Sequence, residues 1–275
     1  MCPICSLIYS CIPLGFFYSA NQGLFVNQNQ SVLQLEACYS AFSLRATTSD
    51  EKDPFYTMVR RLILEMETEQ AKKQLRNIQV LRRKNDQYYS HFFSEDMIRR
   101  LKNCKDLLEI IVKIYYLKNT EYISVFDEVL RRLLRNENLY VFAADRLRDC
   151  ISEGRNPGII IVLLKIQIIY FEKGEINMAL DILEKGQKDG YFLKKSMMMG
   201  DKNENKIKSL SFKLVNALKS KNEHVFSDIL YRQYLAEGKP IPSTMIEIFD
   251  DERTFLNYGK AFISGLNSYE KEENI

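Results

Sequence analysis

The sequence predicts an all-α protein built from repeated helical hairpins. Long runs that alternate polar and apolar residues, which indicate half-buried β-strands, are scarce. Only 11 glycines and 6 prolines occur among 275 residues, and 46% of the residues are hydrophobic, which suffices for one extended helical array or two small domains. The third observation is a recurring spacing of glycine and asparagine, which divides the chain into pairs of helices.

The clearest helix pair covers residues 161–190. Its first helix is the apolar run from Ile161 to Phe171, and its second carries an apolar stripe from Ile176 to Leu183 at spacings of three and four residues. Because an interior glycine costs a helix about 1 kcal/mol, Gly174 and Gly190 are predicted to be turn residues. Ala179 is predicted to face the first helix, where a small side chain lets two helix axes approach closely.

The same spacing recurs along the chain. Each predicted turn residue between two helices is followed sixteen residues later by a predicted exit residue, and all eight are Gly or Asn, which adopt the left-handed conformation most cheaply. The four pairs are Asn103 and Asn119, Asn138 and Gly154, Gly174 and Gly190, and Asn222 and Gly238. This period predicts a repeat array in which stacked hairpins form a solenoid with a concave surface.

These repeats resemble the pentatricopeptide-repeat pattern. A small residue in the second helix is followed eleven residues later by a glycine and then by a proline, as in Ala143, Gly154 and Pro157. The resemblance covers residues 90–243 and implies about four degenerate repeats in a right-handed α-α superhelix. Proteins of this family bind single-stranded RNA. The resemblance therefore implies a mitochondrial matrix protein that holds organellar mRNA during stabilisation, processing or translational activation.

The resemblance also assigns candidate RNA-binding residues. In the family, the second residue of each repeat clamps a base, the fifth reads it, and the residue before the turn can meet a phosphate. The clamp positions are Phe126, Val162 and Leu210, the reading positions include Lys165 and Lys213, and the phosphate positions are Lys102, Lys173 and Lys221. The family usually has a small polar residue at a reading position, and lysine departs from this pattern. The RNA sequence that the protein would bind therefore cannot be deduced from these positions. A lysine before a turn also complements the helix dipole without any RNA.

The flanking segments have other compositions. Residues 1–50 carry no charge before Glu36 and are predicted to be a leader, either a targeting segment or disordered, although a transit peptide would be richer in arginine. Residues 51–89 are predicted to form a helical N-terminal cap, and residues 244–275 a C-terminal helical cap with a polar tail. The charged segment 69–85 is either a solvated helix face or a contact with RNA phosphates or a ribosomal surface.

No constellation of catalytic residues is found in the sequence. His91 and His224 are the two histidines, and neither has a nucleophile or acid at a recognisable spacing. There is no glycine-rich phosphate-binding motif. The one CxxC, at Cys2 and Cys5, lacks the second ligand pair that a structural zinc site needs. The sequence therefore predicts no enzyme activity, no cofactor, no metal and no small-molecule substrate.

A second function remains open at this point. The net charge of +3 is only weakly basic, so it does not by itself favour a nucleic acid. The alternative is a helical-repeat scaffold, similar to tetratricopeptide-repeat proteins, that binds protein partners, for example at the mitochondrial ribosome. Its contact surfaces would be Arg131, Arg132 and Arg135, or the charged segment 69–85.

Overall fold

The protein is mostly helical and also contains two small antiparallel sheets. The computed structural model describes residues 2–3, 17–19, 22–27, 55–56, 59–60, 63, 78–84, 87–172, 174–198, 204–247 and 251–268. The chain forms an N-terminal unit, Met1–Glu109, and a C-terminal unit, Ile110–Ile275. Helix is therefore the main element, as predicted, but an all-α fold is wrong. Within the described residues, no helix is long and apolar enough to cross a membrane.

Four antiparallel strands make up the sheet of the N-terminal unit. They lie side by side in sequence order, with bounds Phe17–Ser19 (β1), Gln22–Asn27 (β2), Ile78–Lys84 (β3) and Gln87–Phe93 (β4). The predicted leader thus contributes two strands, and the predicted helical cap over 51–89 is wrong for β3 and the start of β4. Aromatic and β-branched residues in β3 and β4 fit a pleated surface, and their pairing with the uncharged β2 outweighs the helix-like run of charges.

One face of this sheet is covered by helical residues. Phe55, Val59 and Ile63 are helical and at most 5% exposed. They share the buried core of the unit with Leu24, Val26, Val80 and Phe93 from the sheet. The Phe55 ring lies 4.3 Å from the ring of His91, measured between centroids. This face is the closed face of the sheet, because its side chains are buried against the helical segment.

Two short helices follow the sheet, α1 (Glu95–Asn103) and α2 (Lys105–Ile111). Ser94 caps α1, since its hydroxyl oxygen accepts a hydrogen bond of 3.2 Å from the Met97 N–H. The turn predicted at Asn103 is confirmed to within one residue, because α1 ends there and Cys104 separates the two helices.

Near its start, the C-terminal unit contains a β-hairpin, which contradicts the all-α repeat array predicted for residues 90–243. Strands β5 (Tyr115–Lys118) and β6 (Glu121–Ser124) are antiparallel and are joined by a two-residue turn. The turn residues Asn119 and Thr120 have φ angles of 49° and 67°. Two residues with positive φ are the signature of the tight hairpin turn that matches strand twist. Asn119 is left-handed, as predicted, but it turns a hairpin rather than ending a helix pair.

Within the described residues, eight helices follow the hairpin. Their bounds are Val125–Leu134 (α3), Tyr140–Glu153 (α4), Gly158–Phe171 (α5), Ile176–Met198 (α6), Glu204–Lys219 (α7), Glu223–Ala236 (α8), Thr244–Glu247 (α9) and Glu252–Leu266 (α10). The turns predicted at Asn138, Gly174 and Asn222 are confirmed, because each lies between two of these helices. The predicted exits at Gly154 and Gly238 are confirmed as well, with φ angles of 64° and 61°.

Gly190 is the clearest error of the repeat prediction, because it lies inside α6. The helix continues to Met198, and Gly190 faces α10 together with Gly186. A Cβ atom at Gly186 would stand 2.8 Å from the Tyr258 backbone oxygen, and one at Gly190 would overlap the backbone oxygen of Phe262. The partners advance in the same order along both helices, so α6 and α10 run parallel with their backbones in contact. This glycine contact is the most extensive between helices in the unit.

Helix α10, predicted as part of a C-terminal cap, is instead the centre of the unit. Every residue from Phe255 to Leu266 is buried. Gly265 lies against the backbone of α6, and Gly259 against the Leu218 side chain of α7. Because α6 and α10 are distant in sequence, stacking of successive repeats alone does not describe the packing. Ala179, the predicted close-contact residue, is only half-buried.

Candidate nucleic-acid interface

We call the second face of the N-terminal sheet the open face, because its β4 side chains Tyr88, Ser90 and Phe92 are exposed. Residues that pair across antiparallel strands have their side chains on the same face. Val80 pairs with His91 on the closed face, so the neighbouring pairs belong to the opposite face. These open-face pairs are Phe25 with Leu81, Gln79 with Phe92, Leu81 with Ser90, and Arg83 with Tyr88.

Two large aromatic side chains stand out on the open face. Tyr88 is 65% exposed and Phe92 is 59% exposed, although both belong to a regular strand. They lie four residues apart, which corresponds to about 13 Å along β4, so one planar ligand cannot cover both. Ser90 lies between them and accepts a hydrogen bond of 3.2 Å from the Gln79 amide. Both rings are thus presented outward from a strand held by its neighbour β3.

Arginine accompanies the aromatic residues on this face. The register places Arg83 opposite Tyr88, and its side chain is half-exposed. Arg82, its neighbour in β3, points to the closed face, where its guanidinium carbon lies 5.7 Å from the Phe55 ring centroid. Because side chains alternate along the strand, the two adjacent arginines lie on opposite faces of the sheet. One supports the core of the unit, while the other adds positive charge to the open face.

The open face combines the two features that single-stranded nucleic acids bind. Exposed aromatic rings stack on bases, and cationic side chains contact the backbone phosphates. Phe25 and Leu81 add a half-exposed apolar surface beside the two rings. We call Phe25, Leu81, Arg83, Tyr88 and Phe92 together the aromatic face.

The residues predicted to clamp bases do not form a comparable surface. Phe126 in α3 is 2% exposed and Leu210 in α7 is 7% exposed, so both lie in the core of the C-terminal unit. Val162 in α5 is half-buried. A buried side chain cannot stack on a base without local unfolding. The geometry therefore gives these positions no support as base clamps.

The predicted lysines occupy mixed positions. Lys165 is half-buried in α5, Lys213 is exposed in α7, and Lys102 is half-buried in the last turn of α1. Lys221 is exposed and has a φ of 51°, and its Nζ lies 2.6 Å from a carboxylate oxygen of Glu252. Lys173 lies outside the described residues. Lys213 is therefore the best placed of these lysines for contact with a partner.

Sequence reasoning missed the aromatic face, although a signal for it existed. The segments IQVLRRK and QYYSHFF are rich in aromatic and branched residues, and Asn-Asp stands between them in the sequence. Such a pair of runs around two turn-forming residues is typical of a β-hairpin. The adjacent charges favoured a helix instead. For residues 69–85, which include β3 but not β4, contact with RNA phosphates was one of the alternatives that the sequence left open.

Comparison of the chain with protein-family models, with curated proteins and with solved structures gave no significant match. Within the described residues, no group of three or more His, Cys, Asp or Glu side chains is arranged to hold a metal ion. The function proposed below is therefore based on the geometry of the described residues and on the repeat resemblance in the sequence.

Proposed function

We propose that the protein binds single-stranded RNA through the aromatic face of its N-terminal sheet. The observation that carries this proposal is the paired exposure of Tyr88 and Phe92 on one side of β4, next to Arg83. Stacking contributes about 1–3 kcal/mol per base and is tolerant of sequence. Two separate rings and one cation fit a short stretch of two or more nucleotides, with the bases on the rings and a phosphate at the guanidinium.

The resemblance to pentatricopeptide repeats supports the choice of RNA. From it come further proposals: a mitochondrial address, action on organellar mRNA, and a right-handed stacking of the paired helices α3 to α8. The turns at Asn138, Gly174 and Asn222 support the pairing of these helices. Imaging of the tagged protein against a mitochondrial marker tests the address, and crosslinking followed by sequencing of bound RNA tests the target.

A binding experiment tests the proposed surface directly. The full chain is titrated against a fluorescently labelled single-stranded RNA of about 12 nucleotides, a length within the usual range of site sizes. We expect Tyr88→Ala and Phe92→Ala each to weaken binding by about 5-fold to 100-fold. Tyr122 on β6, an exposed aromatic residue of the C-terminal unit, is the matched control, and Lys213 on α7 tests the site that the repeat resemblance implies. Tyr122→Ala and Lys213→Ala should bind as the wild type does.

Two results would overturn the proposal. The first is a wild-type protein that does not bind RNA at micromolar concentration. The second is undiminished binding by the variant that lacks both aromatic rings. If Lys213→Ala weakens binding while the aromatic variants do not, the helices carry the RNA site, as the repeat resemblance implies. Protein partners that survive ribonuclease treatment of an immunoprecipitate would instead favour the scaffold function.

A further inference from the structure

The C-terminal unit contains a cavity of about 810 Å³. It lies where four helix ends meet: the C-terminal ends of α4, α6 and α10, and the first turn of α7. This volume is within the range of roughly 300–1,000 Å³ that is typical of small-molecule sites. The cavity belongs to a different unit from the aromatic face and shares no residue with it.

Positive charge dominates the wall of this cavity. Lys194 and Lys195 from α6 and Lys208 from α7 line it, and Glu204 is the one acid among the described lining residues. Among the described lining residues, three therefore carry a positive charge and one a negative charge. The ammonium groups attract anions, and they also offset the partial negative charge of the three helix C-terminal ends.

Hydrogen bonds hold two of these lysines in place. The Lys208 Nζ donates a hydrogen bond of 2.9 Å to the Ser152 backbone oxygen near the end of α4. The Lys194 Nζ donates to the backbone oxygen of Ser268, just after α10. Both ammonium groups are thus fixed against the C-terminal ends of neighbouring helices. Lys208 projects from the second turn of α7, and the first turn of this helix adds backbone N–H groups that helix geometry leaves without a partner within the helix.

The remaining wall is apolar and partly aromatic. Tyr191 lines the cavity, and the Lys195 Nζ lies 4.9 Å from the centroid of its ring. Ile151, Ile207 and Leu266 provide aliphatic surface. An inorganic ion would leave this surface unused. A ligand with an anionic group and an aromatic ring would satisfy the lysines and the apolar wall together.

From these features we infer that the cavity is a binding site for a small aromatic anion of about the size of a mononucleotide. Its anionic group lies among the ammonium groups of Lys194, Lys195 and Lys208, and its ring lies on Tyr191 and the aliphatic side chains.

The test uses a pair of dyes that differ in charge. 1-Anilinonaphthalene-8-sulfonate has a sulfonate beside two aromatic groups, and N-phenyl-1-naphthylamine is its uncharged counterpart. We expect the charged dye to bind the full chain with a stoichiometry of one, and the uncharged dye to bind at least tenfold more weakly, on the order of one lost charge-assisted contact. Adenosine monophosphate should displace the charged dye, whereas inorganic phosphate at the same concentration should not.

Variants locate the site of dye binding. The double variant Lys195→Met, Lys208→Met removes two positive charges from the lining. It should lower the affinity for the sulfonate dye by roughly tenfold or more. Met198, another lining residue, is 42% exposed, so Met198→Trp can obstruct the cavity without disturbing the core. Lys185 is the matched control, because it belongs to α6, pairs with Asp181 at 2.7 Å and lies outside the cavity. Lys185→Met should leave the affinity for the dye unchanged.

The outcomes separate this site from the RNA surface. Removal of Tyr88 and Phe92 should leave binding of the sulfonate dye unchanged, whatever it does to RNA. Equal affinity for both dyes, or full affinity in the double lysine variant, would show that the cavity is an unselective apolar crevice. Failure of adenosine monophosphate to displace the dye at millimolar concentration would overturn the assignment to ligands of mononucleotide size.

Discussion

Gly190 of α6 lies against the backbone oxygen of Phe262 in α10, so closely that a Cβ atom at position 190 would overlap that oxygen. Gly190→Ala must therefore push two helix backbones apart. Overpacking of a core usually costs about 1–3 kcal/mol, and we expect this variant to lose about 3 kcal/mol of unfolding free energy, since backbone atoms cannot rotate away. Denaturant unfolding followed by circular dichroism measures this loss.

Gly174 is the matched control for this substitution. An added Cβ atom there would meet no heavy atom within 4 Å. Gly174→Ala should leave stability within about 1 kcal/mol of the wild type, because alanine also restricts the unfolded chain. Equal losses in the two variants would contradict the backbone contact between α6 and α10.

Lys260 predicts a pH dependence of stability. It is 2% exposed in α10, and its Nζ lies 4.9 Å from the Tyr140 ring centroid. Burial lowers the pKa of Lys260 from 10.5 to about 7, while Glu252 raises it and Lys221 lowers it further. The unfolded state thus binds more protons between pH 7 and 10.5, so the contribution of Lys260 to stability rises with pH in that window, by at most about 1.4 kcal/mol per pH unit.

Lys260→Met isolates this contribution. Below pH 7 the ammonium form is buried in the folded wild type, and we expect the methionine variant to be more stable there. Its advantage should shrink between pH 7 and 9. Thermal melts of both proteins at several pH values measure the difference in stability between variant and wild type. Groups that titrate equally in both proteins do not contribute to this difference. A difference that stays constant from pH 6 to pH 9 would show that Lys260 does not change its protonation on folding.

Gln167 provides a test of the contact between α4 and α5. It is 4% exposed, and its side-chain oxygen accepts a hydrogen bond of 2.6 Å from the N–H of Leu139, the residue that precedes α4. Gln167→Met keeps the shape but leaves a buried N–H without its acceptor, which should cost about 1–3 kcal/mol. Gln233 in α8 is half-buried, and its amide donates a hydrogen bond of 3.0 Å to the carboxylate of Glu237, the residue after the helix. Gln233→Met should cost less than about 0.5 kcal/mol, and equal costs in the two variants would contradict the role of Gln167 as the acceptor for the Leu139 N–H.

Arg83 predicts the salt dependence of RNA binding. If its guanidinium meets one phosphate, Arg83→Ala should reduce the slope of log K against log salt concentration by about 0.7, the value for a single strand. Arg232 of α8 is a matched control, because its side chain is 79% exposed and pairs with Asp228 at 2.9 Å. Arg232→Ala should leave the slope unchanged. Titrations at three or more salt concentrations give both slopes.

Local signals in the sequence predicted the ends of helices well. Gly154 and Gly238 end their helices in the left-handed conformation, and Asn222 caps α8 by accepting from the Val225 N–H at 3.0 Å. These features depend on a few neighbouring residues, so a single sequence contains them. Gly190 has the same sequence spacing as an exit glycine. It instead lies inside a helix, where it contacts the backbone of Phe262, which is distant in sequence. Local spacing cannot distinguish these two uses of glycine.

The candidate site was predicted less well for a related reason. The exposure of Tyr88 and Phe92 depends on which face of β3 and β4 the helical segment covers. The covered face is determined by residues such as Phe55, which lies more than thirty positions earlier in the chain. The charges around Arg82 and Arg83 fitted either a solvated helix face or a partner surface. Strand alternation, which assigns the two arginines to opposite faces, became apparent only from the register.

The contact between α6 and α10 has a consequence for folding kinetics. Gly186 meets Tyr258 and Ala261, more than seventy positions further along the chain. Individual helices form in about a microsecond, but this contact requires the closure of a long loop that contains α7 and α8. Folding rates fall as contacting residues become more distant in sequence. The C-terminal unit should therefore fold more slowly than helical bundles of its size with local contacts, and the docking of α10 should limit its rate.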